Sequence, residues 1–174
     1  LRYKSHTIHD GKYNLEGLPA VYASDEEAQT LEILMEDQVT GVKVILLYGV
    51  LSKLDIITRS VCIKNESNGK IYLNKIESAS LDFLYGEYEL LTFYGRHAME
   101  RNVQRVPVVH GTQKIGSVRG TSSHQYNPMM ILAERETTED KGNCYAMSFV
   151  YSGCFQGEVL KDQLNQTRMM LGLQ

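Results

Sequence analysis

The stretch TLEILMEDQVTGVKVILLYGV, residues 30–50, decides the fold class. Its apolar residues recur at every second position, first as Leu31, Ile33 and Met35 and then as Val42, Val44, Leu46, Tyr48 and Val50. A period of two is that of a β-strand with one buried and one solvated face. A turn at residues 39–41 separates the two halves, so the stretch predicts a β-hairpin.

The same alternation recurs along the chain and predicts roughly ten short strands with turns between them. Helix signals are nearly absent: Ser24 to Glu27 resembles a capping box, but the strand pattern resumes at Thr30, which leaves room only for a turn. We therefore predict an all-β fold, a large antiparallel β-sandwich, as a single domain over residues 1–174. Beyond the hairpin, the predicted strands are Ile56–Lys64, Lys70–Ile76, Ser78–Leu84, Tyr88–Tyr94, Met129–Ala133, Cys144–Tyr151, Phe155–Leu160 and Thr167–Leu173.

Composition argues against several classes of function. A chain of 174 residues, 43% of them hydrophobic, is long enough for one real core. The net charge of −3 argues against a nucleic-acid binder, which usually presents a concentrated basic face. Three cysteines are too few for a disulfide framework and indicate a reducing compartment. No apolar run is long enough to predict a membrane span, and the start does not resemble a signal peptide.

Two polar runs, residues 95–105 and 119–128, hold most of the hydrogen-bonding capacity that the strand pattern does not explain. Polar loops of this kind usually face a ligand or a partner. His97 either bonds within its own loop or reaches a ligand, and the residues leave both interpretations open. For Arg96 and Arg101 we favour pairing with Glu100 between them, with donation to ligand hydroxyls as the alternative.

The second polar run offers serines beside a histidine, but not a catalytic arrangement. Ser122 and Ser123 precede His124, and neighbours on an extended chain point apart. No nucleophile elbow surrounds them. We expect the serine hydroxyls and Asn127 to bond backbone groups in a turn that ends at Pro128.

Carboxylates and histidines do not form a predicted site either. A glycosidase needs two carboxylates facing each other across a sugar. Glu100 lies beside two cations that favour its ionised form, which makes it a poor general acid, and Asp82 is a weaker candidate. His6 and His9 are three positions apart, so in a strand they point to opposite faces and cannot share a metal.

The two polar runs belong to a set of segments that extend in order over essentially the whole chain: Leu15–Ala20, Ile57–Val61, Ser78–Asp82, Gly95–Arg105, Gly116–Pro128, Val150–Gly153 and Gln166–Arg168. Together they resemble the N-terminal domain of family 36 α-galactosidases. The resemblance implies a β-supersandwich similar to galactose-mutarotase-like domains. It also implies truncation: early N-terminal strands would precede Leu1, and a catalytic (β/α)₈ barrel would follow Gln174.

The function implied by this resemblance is that of a non-catalytic part of a hydrolase that acts on terminal α-galactosides of the raffinose or melibiose type. The barrel of that family supplies two aspartates for a retaining double displacement, so no catalytic residue, cofactor or metal is expected in this chain, and the chain alone is expected to be inactive. Bacterial members are typically cytoplasmic homotetramers in which this domain helps to wall a neighbour's pocket. Arg96, His97 and Arg101 are the implied rim residues, with no nucleic-acid or membrane partner.

One departure from the family concerns His97, where many members carry a tryptophan. A histidine there lacks the apolar surface on which an indole stacks a sugar, which leaves the substrate preference open. The alternative hypothesis is a free-standing carbohydrate-binding β-sandwich module. That alternative predicts sugar binding by the chain alone.

Overall fold

The computed structural model describes all residues, 1–174, as twelve β-strands without a helix. Every strand pair is antiparallel, so the predicted all-β antiparallel class is confirmed. The chain contains no helix long and apolar enough to cross a membrane. The strands are β1 (Arg2–Asp10), β2 (Gln29–Asp37), β3 (Val42–Leu51), β4 (Ile56–Asn65), β5 (Ile76–Phe83), β6 (Tyr88–Arg96), β7 (Met99–Pro107), β8 (Gly111–Ser117), β9 (Tyr126–Glu134), β10 (Cys144–Ser148), β11 (Phe155–Lys161) and β12 (Thr167–Leu173).

The first compact unit, Leu1–Asn74, contains one sheet in the order β1-β2-β3-β4. The hairpin predicted at residues 30–50 is formed by β2 and β3, with Ile33 opposite Leu46. His6 lies opposite Ile33 and His9 opposite Thr30, so the two histidines occupy opposite faces of β1, as predicted. The capping-box segment forms only a turn, which is also as predicted.

The second compact unit, Lys75–Gln174, is a sandwich of two four-stranded sheets. One sheet has the order β10-β9-β6-β7 and the other β5-β12-β11-β8. Both sheets contribute to one buried core, which confirms the predicted sandwich. Its members include Leu90, Met130, Leu132, Phe155, Val159, Met169 and Leu171. That residues 1–174 behave as one domain stays a prediction.

Four segments differ from the predicted strand map. β1, β7 and β8 lie where no strand was predicted, and β7 takes up most of the first polar run. β7 ends its sheet and is mostly exposed on both faces, so burial does not impose the alternation that reveals a strand. The strand predicted at Lys70–Ile76 is wrong, because the chain stays irregular until β5 begins at Ile76.

Candidate functional site

The first polar run is a tight hairpin whose tip, His97 and Ala98, joins β6 to β7. Ala98 (φ 61°) and Arg101 (φ 59°) both adopt left-handed backbone conformations. Such conformations cost a non-glycine residue about 1–3 kcal/mol each and persist only where surrounding contacts hold them. Gly95 provides the space for this geometry, because a Cβ there would lie 2.3 Å from the carbonyl oxygen of Met99.

Glu100 holds the tip through the backbone and not through the neighbouring arginines. Its Oε1 accepts a hydrogen bond of 2.9 Å from the Ala98 amide. The Nη2 of Arg96 lies 3.1 Å from the sulfur of Met99, and the side chain of Arg101 makes no hydrogen bond or ion pair. The predicted pairing of Glu100 with Arg96 and Arg101 is therefore wrong: the left-handed turn at Ala98 brings an amide to the carboxylate in their place.

The hairpin places the three predicted rim residues on one exposed tip. Arg96, His97 and Arg101 are all exposed, and the His97 ring makes no hydrogen bond within the chain. The first interpretation of His97, a hydrogen bond within its own loop, is therefore wrong. Contact of these three side chains with a ligand stays a prediction.

The second polar run forms the loop between β8 and β9, together with the first residues of β9. Its hydroxyls shape the loop in part as predicted, since the Ser123 hydroxyl accepts a hydrogen bond of 3.2 Å from the Gln125 amide. The Ser122 hydroxyl and the Asn127 side chain make no such bond within the chain, so that part of the expectation is wrong. The loop is fixed from outside by the Ser122 amide, which donates to the Ser152 carbonyl at 2.8 Å.

The expected end of the turn at Pro128 is also wrong, because Pro128 lies inside β9. The pairing of β9 with β6 shifts register between Thr92 and Tyr94, which leaves residues 127–129 in a bulge. A bulge tolerates the missing N–H of a proline. The carbonyl of Pro128 is still used and accepts from the Phe149 amide at 2.8 Å.

The two polar runs meet in the folded chain. The Gly95 amide donates to the Gln125 carbonyl at 3.3 Å, and Tyr94 of β6 faces Tyr126 of β9. Beside this junction, the end of β8, the β8–β9 loop and the start of β9 line an open cleft of about 140 Å³. The hairpin tip and the cleft together make up the candidate site.

Neither carboxylate considered from the sequence faces a second one. The Glu100 carboxylate accepts a hydrogen bond from the Ala98 amide. Asp82 lies on the outer face of its sheet and pairs with Arg168 at 2.5 and 3.0 Å. Hydrogen bonds from that guanidinium lower the pKa of Asp82 and keep it ionised. Both groups therefore have structural roles.

A carboxylate pair that the sequence reasoning missed lies on the outer face of the β5-β12-β11-β8 sheet. The Nζ of Lys75 lies 3.1 Å from Glu77 Oε1 and 2.5 Å from Glu158 Oε2. The lysine thus occupies the space between the carboxylates that a glycosidic bond would need. Lys75 and Glu77 are neighbours in sequence, but the sheet order β5-β12-β11 is what brings Glu158 to them, and no local pattern could have revealed that.

Burial dominates the electrostatics of Glu77. Desolvation raises the pKa of Glu77 above its ordinary value, and its Oε2 is buried without a hydrogen-bond partner. The pKa of Lys75 is also raised, but first by its hydrogen bond to Glu158 and only then by Glu77. The raised pKa of Lys75 favours a charged pair with Glu77, whereas the raised pKa of Glu77 disfavours it. The buried Oε2 without a hydrogen-bond partner supports the second direction, so the ionised form of Glu77 is the costly one.

The Glu77→Gln variant is expected to become more stable relative to wild type as the pH rises from about 3 to about 7. The folded-state pKa of Glu77 lies above the unfolded-state value. Its stabilising contribution is therefore complete below the unfolded-state pKa and is lost as the pH rises through the folded-state pKa. Glutamine stays neutral and avoids this loss. Urea unfolding at several pH values measures the difference.

A matched control uses Glu66, which pairs with Lys43 at 2.5 Å. The lysine lowers the pKa of Glu66, so its contribution is present above the unfolded-state pKa and is lost as the pH falls. The Glu66→Gln variant should therefore lose stability relative to wild type as the pH rises. Parallel pH profiles for the two variants would contradict the assignment for Glu77.

Comparison with known proteins identifies the family of this sandwich. The glycosyl hydrolase family 36 N-terminal domain matches residues 1–174. The chain belongs to this family. It is 60% identical over 173 residues to the bifunctional alpha-galactosidase/sucrose kinase AgaSK of Mediterraneibacter gnavus, covering 99% of this chain and 18% of that protein. It is 41% identical over 174 residues to alpha-galactosidase 1 of Pediococcus pentosaceus, covering 99% and 24%.

Solved structures of other family 36 proteins superimpose closely on this chain. The galactosidase domain of AgaSK gives a TM-score of 0.96 at 59% identity, covering 99% of this chain and 24% of that one. A variant of the GH36 alpha-galactosidase AgaA from Geobacillus stearothermophilus, in complex with raffinose, gives 0.97 at 39% identity with the same coverage. This chain therefore spans a quarter or less of the length of these relatives.

Proposed function

We propose that this chain is a non-catalytic N-terminal β-sandwich domain of a longer α-galactosidase, one that hydrolyses terminal α-galactosides of the raffinose or melibiose type. One observation carries the proposal: the whole chain matches relatives named alpha-galactosidases at 60% and 41% identity. In this proposal the retaining chemistry belongs to a (β/α)₈ barrel outside this chain, and no cofactor is needed.

The exposed hairpin tip supports a role at the rim of a substrate pocket. Arg96, His97 and Arg101 project from one tip without competing hydrogen bonds to oxygen or nitrogen atoms of the chain. Guanidinium donors and an imidazole suit the hydroxyl groups of a sugar. In the proposed assembly, a cytoplasmic homotetramer, the tip of one subunit lines the pocket of a neighbour. Three free cysteines are consistent with a reducing compartment.

The purified chain is expected to show no hydrolysis of an aryl α-galactoside. The carboxylate pair Glu77 and Glu158 is bridged by Lys75 and cannot flank a sugar. A chromogenic assay measures this, with the full-length AgaA enzyme as the positive control. Turnover by the purified chain, free of contaminating enzyme, would overturn the non-catalytic assignment.

In the full-length parent enzyme, the Arg96→Ala and Arg101→Ala variants are each expected to raise KM for raffinose about tenfold. The value of kcat should change little, because a donor to a distant hydroxyl binds substrate and transition state alike. Steady-state kinetics separates the two parameters. Arg135→Ala, an exposed arginine outside the hairpin, is the control and should leave both unchanged. A fall in kcat at unchanged KM would argue against a rim role.

A further inference from the structure

The cleft at the start of β9 is built by contacts that leave several polar side chains free. The Ser117 hydroxyl donates to the Thr121 carbonyl at 2.6 Å, and the Gly120 amide donates to the Cys154 sulfur at 3.1 Å. With the Ser122–Ser152 backbone bond, these contacts tie the loop to its surroundings at three points. The shape of the cleft is therefore fixed before any ligand arrives.

Four polar side chains of the cleft lining take no part in this construction. Arg119, Ser122, Gln125 and Tyr126 line the cleft. None of their side chains makes a hydrogen bond or an ion pair within the chain, and none has a buried unsatisfied atom. Their donors and acceptors are therefore free to bond a ligand. Convergent free polar groups in a preformed concave site are typical of a ligand site.

The chemistry of these groups indicates the class of ligand. Two hydroxyls and a carboxamide can each donate and accept, and Arg119 only donates, while the Tyr126 ring packs against the core. A phosphate would favour several cations or a cluster of backbone amides, whereas the lining contains a single charged residue. A purely apolar ligand would leave all four groups unpaired. The hydroxyls of a neutral sugar, each a donor and an acceptor, match the set.

The size of the cleft limits how much of a sugar it holds. Its volume of about 140 Å³ is below the roughly 300 Å³ at which pockets for drug-sized ligands begin. We propose that this cleft binds a single ring of a neutral saccharide. The site lies on this chain itself, and its occupation requires neither a catalytic barrel nor a second subunit, so it is separate from the proposed rim function. Sugar binding by the chain alone is therefore compatible with the proposed domain role as well as with a free-standing binding module.

The proposal is tested by titrating the isotope-labelled chain with raffinose and following its amide signals by NMR. Saturable shifts are expected at Gly120, Ser122, Gln125 and Tyr126, with a dissociation constant in the millimolar range. The double variant Ser122→Ala/Tyr126→Phe should weaken binding about tenfold, since two hydrogen bonds are lost. Both changes delete only a hydroxyl, and the thermal unfolding midpoint of the variant is compared with that of wild type.

The matched control is Ser80→Ala/Tyr85→Phe, which deletes the same two groups at exposed positions outside the cleft. It should bind raffinose as wild type does. Shifts confined to residues 96–101 would place the sugar on the hairpin and overturn the proposal. Inorganic phosphate that moves the cleft signals while raffinose does not would show an anion site in its place. No saturable shift, or full binding by the Ser122→Ala/Tyr126→Phe variant, would equally overturn it.

Discussion

Replacing Phe155 by alanine is expected to lower the free energy of unfolding of the sandwich by about 3–5 kcal/mol. The ring is fully buried in the core, and Met130, Leu132 and Met169 in the same cluster are fully buried as well. Both sheets contribute to this core, so the cavity left by the deletion would be lined from two sides. A close-packed core collapses only partly around such a cavity, which adds to the lost burial of the ring.

Urea unfolding followed through the amide signals of β11 measures this loss in the second unit specifically. The control is Leu164→Ala, a leucine that is 68% exposed and should change stability by less than about 0.5 kcal/mol. A loss below about 1 kcal/mol for Phe155→Ala would contradict the assignment of this residue to the centre of the core.

β11 is one of the strands of the buried core that the sequence predicted correctly. Its Phe155 and Val159 are fully buried, whereas Glu158 between them is directed to the other face and pairs with Lys75. Burial on one face imposes the alternation, and the alternation reveals the strand. β7 ends its sheet and lacks this constraint, so its residues indicated a polar loop.

The contacts of the candidate site were less predictable than its residues. Composition located the two polar runs, but their meeting depends on the pairing of β6 with β9, which places Gly95 against Gln125. The predicted pairing of Arg96 and Arg101 with Glu100 was wrong, because charged side chains compete with backbone amides for the same carboxylate. The Glu100 carboxylate accepts from the Ala98 amide, which the left-handed backbone at Ala98 brings to it. Such local competition is decided by dihedral angles that charge spacing does not encode.

The Gly95→Ala variant is expected to destabilise the β6–β7 hairpin by about 1–3 kcal/mol. The added Cβ would lie 2.3 Å from the Met99 carbonyl oxygen and 2.8 Å from the Glu100 Cα. Both are backbone atoms, so no side-chain rotation relieves the overlap, and the tip has to move. The Gly95 amide also donates to Gln125, so the displacement should reach the β8–β9 loop.

Amide chemical shifts of residues 96–101 and of Gln125 report this displacement, and urea unfolding reports its energetic cost. Gly69→Ala is the matched control, because a Cβ at Gly69 meets no atom within 4 Å and should leave both readouts nearly unchanged. If the hairpin carries the pocket rim, Gly95→Ala in the full-length parent should also raise KM for raffinose, because Arg96 and Arg101 move with the tip. An unchanged hairpin spectrum would show that the close approach of Gly95 to Met99 does not constrain the tip.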